Sequence, residues 1–215
     1  METKGNYGLG ISPTSYSEVV FYTVDYSATE APITYARPSC TSFFAGRAWY
    51  AGIEGLDLNN TLFFSQIIQR TNQYAKCYQN NDPTSEDFSD LLADDGGFVK
   101  IPEIARIVHI ATFHNALLVF ATNGVWAISG SNKQYFTATA FGVRKISGVG
   151  TNSSLSFVDA KGTPFWWGDS AIYTLKYDPN YDAYEAVSLT DDTIYSFFSD
   201  IPALNRKYVK GSYNI

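Results

Sequence analysis

The hydrophobic positions of this chain fall in short runs broken by Gly, Asn, Asp and Pro, the pattern of strands joined by tight turns. The rhythm is tightest after Pro102. There ARIVHIAT, NALLVFAT and GVWAISG follow one another, separated at His114-Asn115 and at Asn123-Gly124. Asn-Gly between apolar runs is a strong hairpin signal, because both residues tolerate positive φ. The arrangement then recurs as SLSFVDA, TPFWWGD and AIYTLKYD, with turns at Lys161-Gly162 and Gly168-Asp169-Ser170.

A shift of 47 residues lays the first stretch on the second without a gap. It pairs Val108 with Leu155, Ile110 with Phe157, Asn115 with Gly162, Leu118 with Phe165 and Phe120 with Trp167. It continues through Val125 with Ile172, Trp126 with Tyr173 and Ile128 with Leu175. Identity is low, but residue classes stay in phase through strand, turn, strand, turn and strand. A period of about 40 to 50 residues carrying several short strands predicts propeller-type blades. A meander or sandwich whose hairpins share a length is the alternative. The fourth strands are expected at 135–141 (YFTATAF) and 184–189 (YEAVSL).

A weaker unit lies upstream. TSFFAGRAWYAGI (41–53) and NTLFFSQII (60–68) read as antiparallel neighbours joined by the loop EGLDLNN. The expected fold is therefore all-β, with blade units at 41–68, 104–141 and 147–189 and a polar insertion at 69–103. Residues 1–38 read as an N-terminal segment: irregular to Thr14, strand-forming over 16–26 (YSEVVFYTVDY), and a proline-containing connector over 28–38. At 190–215 the pattern changes. Thr190 can cap a short helix near 190–201, with Asp191 and Asp192 in its first turn and Ile194, Phe197 and Phe198 on one face. NRKYVKGSYNI then reads as the start of another strand. Three units cannot close a ring of about four to eight blades, which predicts an incomplete propeller, a fragment of a longer chain.

Composition sharpens the β reading. Sixteen Tyr, 15 Phe and 4 Trp accompany only 17% charged residues, a balance suited to half-buried pleated surfaces. The net charge is −6 and no basic stripe occurs, which argues against tight nucleic-acid binding through phosphate neutralisation. No apolar run approaches the roughly 20 residues of a membrane span, and residues 1–10 show no signal-peptide core. Cys40 and Cys77 stand apart with no metal-ligand spacing, and are expected to be buried, reduced thiols.

Candidate chemistry is sparse. His109 and His114 are five apart, which suits no helical metal pair; both read as surface or turn residues. GxSxG, GxxxxGK[ST] and a strand-to-helix GxGxxG are lacking. The acidic pairs Asp94-Asp95 and Asp191-Asp192 raise paired-carboxylate catalysis, and the loop 94–97 raises calcium. The loop reading of the first pair and the helix-start reading of the second are the simpler alternatives. The aromatic motifs Arg47-Ala48-Trp49-Tyr50 and Phe165-Trp166-Trp167-Gly168 suit either a carbohydrate platform or packing between sheets. No catalytic, cofactor-binding or metal-binding residue is assigned, no cofactor is expected, and the chain reads as not an enzyme.

The runs FFAGRAWYAG, NTLFFSQI, NALLVFATNGVWAISG and GTPFWWGDSAIYTL, with SLTDDTIYSFFSDIP, resemble the tail nozzle proteins (tail tubular protein B) of short-tailed bacteriophages. The resemblance spans about 39–202. It implies a β-propeller-bearing structural protein of the virion, assembled as a homohexameric ring below the tail adaptor with tail fibres nearby. It implies a conduit for DNA ejection, with DNA passing without specific binding, and it carries no catalytic residues over. A β-propeller carbohydrate-binding or glycoside-processing module is the alternative function.

Overall fold

The computed structural model describes residues 6–10, 20–24, 34–54, 57–78, 91–131, 134–180, 183–190, 195–197 and 200–214, the stretch before Arg37 by its backbone alone. The fold is all-β: a three-stranded antiparallel sheet followed by three four-stranded antiparallel sheets. Two compact units share them, interleaved in sequence. One comprises Met1–Ile101 and Gly130–Phe141, the other Pro102–Ser129 and Gly142–Ile215.

In the first unit, β1 (Asn6–Gly10), β2 (Val20–Val24) and β3 (Thr34–Ala36) lie in the order β1-β2-β3. Two of them correct the sequence reading, which left 1–14 irregular and 28–38 a connector. The strand-forming β2 pairs with both flanks, Asn6 to Val24 on one side and Phe21 to Ala36 on the other. A ladder of backbone groups needs no apolar signature in the strands it recruits.

The second sheet runs β4 (Cys40–Phe44), β5 (Arg47–Ala51), β6 (Thr61–Phe64) and β7 (Gly97–Lys100) in sequential order. The run at 41–53 is thus two strands, folded back at Ala45 (φ 51°) and Gly46 (φ 71°). An alanine in the left-handed region carries no turn signature, so the reversal was hidden. The region expected as a polar insertion supplies β7, with Thr61 opposite Lys100 and Phe64 opposite Gly97. The excursion therefore leaves after the third strand and returns as the fourth.

Each face of this sheet has its own core. Ala48, Tyr50 and Phe63 pack with Ile53 and Leu58 on one side. On the other, Phe136 stands among Trp49, Phe64 and Phe44, with ring centroids 4.9, 5.3 and 6.1 Å away. Phe136 belongs to the stretch expected as a strand at 135–141. It forms instead a turn closed by the Thr137–Ala140 bridge and tied by Ala138 N–H to Ala93 O (3.2 Å). Burying an aromatic ring outweighs the pairing that this segment would have made as a strand.

The second unit holds β8 (Ile107–Phe113), β9 (Ala116–Ala121), β10 (Gly124–Gly130) and β11 (Phe141–Ser147), then β12 (Val158–Ala160), β13 (Thr163–Trp167), β14 (Ile172–Asp178) and β15 (Ala183–Ser188). Strands β10 and β11 cross into the first unit at Gly130 and Phe141. Both sheets are up-and-down meanders. The 47-residue register holds at the first hairpins: Phe113 pairs with Ala116 and Ala160 with Thr163. His114 (φ 49°) and Lys161 (φ 54°) occupy the same left-handed position. The register breaks earlier, where Ser154–Ser156 is a 3-10 turn rather than the start of a long strand. It also misplaces one fourth strand, which is β11 rather than 135–141.

Leu118, Phe120, Val125 and Ala127 pack on Trp166, Ala171, Tyr173 and Leu175 in one core. Phe120 meets Trp166 at 5.4 Å between centroids. The register equates Phe120 with Trp167, whereas Phe120 meets Trp166, so these two sheets meet through opposite faces. Two four-stranded meanders packed face to face in this way are blade-like.

Near the C-terminus, Tyr195–Phe197 is helical, and most of the expected helix at 190–201 lies outside the described residues. Among the described residues no strand forms in the stretch expected as one, 205–215. Ala203–Tyr208 forms a 3-10 helix after Pro202, opened by Asn205 N–H to Pro202 O (2.8 Å). Residues 209–214 then run beside the segment leading into β12, with Gly211 N–H donating to Leu155 O (2.8 Å) and Ser153 Oγ to Val209 O (2.7 Å). Among the described residues no helix is long and apolar enough to cross a membrane.

Candidate functional site

The residues that draw most chemistry together are at the base of the excursion in the first unit. Arg47 opens β5 directly after the Ala45-Gly46 turn and is fully buried. Its Nη1 donates to Ser65 O (2.7 Å), Asp94 O (3.3 Å) and Asp95 O, and its Nη2 to Ala93 O (2.6 Å). The guanidinium also lies 5.4 Å from the Phe64 ring centroid and 5.8 Å from that of Phe136. Desolvation lowers its pKa to about 10, opposed by the carboxylates of Asp94 and Asp95. It therefore stays charged at neutral pH. A buried charge is tolerated only with such compensation. Its Nε has no hydrogen-bond partner among the described residues.

This arrangement answers the question raised by Asp94-Asp95. Carbonyls from both stems of the excursion converge on one positive charge, as they would on a metal ion, and the charge is a guanidinium of the chain itself. The loop carbonyls raised for calcium thus accept from Arg47. Asp95 is buried, and its Oδ2 accepts the Leu92 N–H (3.0 Å), while Asp94 is exposed. The two carboxylates therefore occupy different environments, one closing a turn and one facing solvent. Gly96 passes so close to the opposite stem that a Cβ would stand 2.2 Å from Lys76 O. Asp191-Asp192 lies outside the described residues.

Beside the latch is a cavity of about 330 Å³. Four carboxamides line it, those of Gln66, Gln69, Asn72 and Gln73. Two cations, Arg70 and Lys76, and two carboxylates, Asp94 and Asp95, complete the polar wall. Its frame is tied together. Gln66 N–H donates to Lys76 O (2.9 Å), Ile67 N–H to Asp94 O (3.2 Å), and Gln66 Nε2 to Tyr78 O (3.3 Å). Gln73 Oε1 accepts the N–H groups of Gln69 and Arg70, both at 2.7 Å. Sequence reasoning assigned none of these amides a role. Their signal was the density of Gln and Asn in 66–81, which reads equally as a solvated loop.

The other residues singled out from sequence are spent on packing. Trp49 and Trp166 are fully buried and Tyr50 nearly so, so these rings are core and not a platform. Trp49 Nε1 donates to Phe44 O (3.2 Å). Phe165 and Trp167 are half-buried. His114 is in its turn, stacked on Tyr177 at 4.6 Å. His109 departs from the surface reading: a bulge between Ile107 and His109 turns it onto Phe157, at 4.4 Å and 29°. Desolvation there lowers its pKa to about 4, which keeps the imidazole neutral. Neither Cys40 nor Cys77 is in a disulfide, and burial raises the pKa of the Cys77 thiol. No group of three or more His, Cys, Asp or Glu positioned for a metal occurs among the described residues.

No protein-family profile matches the chain, and the comparison with curated proteins gives no match.

Proposed function

We propose that this chain is a structural subunit of the tail of a short-tailed bacteriophage, contributing β-propeller-type blades to the nozzle through which DNA is ejected. The carrying observation is the succession of three four-stranded up-and-down sheets, two of them in a 47-residue register and stacked through opposite faces. The aromatic runs that carry the resemblance to nozzle proteins coincide with these strands. Arg47, Asp95 and His109 serve folding: a guanidinium latch, a closed turn and a ring stack. In this reading the chain assembles as a homohexameric ring beneath the adaptor, with tail fibres alongside. Its net charge of −6 lets DNA slide through without specific binding.

The test is electron cryomicroscopy and native mass spectrometry of the full chain with its tail adaptor. Six-fold rings stacked on the adaptor are expected; a monomer that never associates with it overturns the reading. The carbohydrate-module alternative loses the buried rings Trp49, Tyr50 and Trp166, and is favoured only by the amide-lined cavity.

A further inference from the structure

We infer that the cavity between residues 66–76 and Asp94-Asp95 binds one neutral polyhydroxylated ring, a monosaccharide or the terminal residue of a glycan. The inference stands apart from the assembly proposed above, since it concerns a site within the first unit.

Size sets the first limit. At about 330 Å³ the cavity is at the small end of ligand clefts, which run from roughly 300 to 1,000 Å³. The second limit is polarity. Among the described residues Ile67 is the one apolar residue lining it, so a lipid or an aromatic ligand would bury its surface against amides and charges. Charge is the third. Both signs of charge line it, Arg70 and Lys76 beside Asp94 and Asp95, so a phosphate meets carboxylates and a metal ion meets cations. The nearby loop carbonyls are already taken by Arg47.

What remains suited to such a wall is a neutral molecule carrying many hydroxyls. Carboxylates accept from hydroxyl pairs, and carboxamides both donate and accept. The wall is also organised before binding. Gln66 is held by its own backbone and side-chain bonds, and Gln73 Oε1 is fixed by two N–H groups. Such preorganisation lowers the ordering cost of binding.

The experiment is saturation-transfer NMR on the full chain with a panel of hexoses, N-acetylhexosamines and 6-deoxyhexoses. Inorganic phosphate and glycine are run as charged competitors. At least one sugar binds, with a Kd on the order of 1 mM. Asp94→Ala weakens it about tenfold, and Asn72→Ala by a smaller factor. Both side chains are exposed, and Asp94→Ala leaves the backbone carbonyl that Arg47 uses, so both variants keep the native near-UV circular dichroism. A glycan array separates the two sources: array binding assigns the site to a chain end, and binding of the free sugar alone assigns it to a soluble one. No transfer from any sugar overturns the inference, as does binding unchanged in both variants or displacement by phosphate or glycine. A protein that binds the sugar but never forms rings sinks the tail assembly and leaves this site standing.

Discussion

Phe136 meets Trp49 edge-on, with centroids 4.9 Å apart and planes at 70°, so a turn between β10 and β11 completes the core of the sheet that contains β5. The contact makes the first unit depend on a segment that follows β8, β9 and β10 in sequence. Phe136→Ala should cost about 3–5 kcal/mol of unfolding free energy. Tyr135→Ala, one residue away and 88% exposed, should stay within about 0.5 kcal/mol. Urea titrations of the two variants check this; equal effects would show that the segment does not anchor through its ring.

Arg47 ties the two stems of the excursion through carbonyls of Ser65 and of residues 93–95. Arg47→Ala leaves those acceptors buried and should destabilise the protein by about 3–5 kcal/mol. Arg47→Lys should recover only part of the loss, because an ammonium cannot reproduce the planar fork. Amide hydrogen exchange at residues 93–96 should quicken in both variants, more in the alanine.

His109 links stability to pH. Its folded pKa of about 4 is below the ordinary 6.5, so in that window the unfolded chain binds more protons. The contribution is fully present above pH 6.5 and is lost as pH falls towards 4, by at most about 3 kcal/mol. His109→Gln, a neutral side chain, should flatten this slope between pH 4 and 6.5. Chemical denaturation across that range measures it, and an unchanged slope would mean that another group carries the dependence.

Hairpin turns at Ala45, His114 and Lys161 place side chains where glycine is favoured. Ala45 has φ 51° and Lys161 has φ 54°. Ala45→Gly and Lys161→Gly should each raise stability by up to about 1 kcal/mol, since left-handed backbone is costly for residues with a Cβ. Thermal melts of the single and double variants test this, and the two gains should add because the turns are on different sheets.

Much of the architecture was legible because strand formation is local. Apolar runs the length of a strand, closed by His114-Asn115, Asn123-Gly124 and Lys161-Gly162, specify hairpins within a few residues, and the 47-residue register places β9 with β13 and β10 with β14. What the sequence by itself determined was therefore the all-β class and, after Pro102, the hairpin turns that order β8 to β10 and β12 to β14. Tertiary structure decided the rest. Phe136 left a strand-like run because a distant aromatic core had room for its ring. Thr34–Ala36 became a strand because β2 offered unpaired backbone, and Gly97–Lys100 because β6 did. The candidate site was illegible for the same reason. Arg47 is far in sequence from the carbonyls of residues 93–95, and the amides around the cavity look like any solvated loop until folding closes the stems together. Hydrophobic period and turn propensity act over a few residues, whereas the burial of a charge or ring depends on which distant groups arrive to satisfy it.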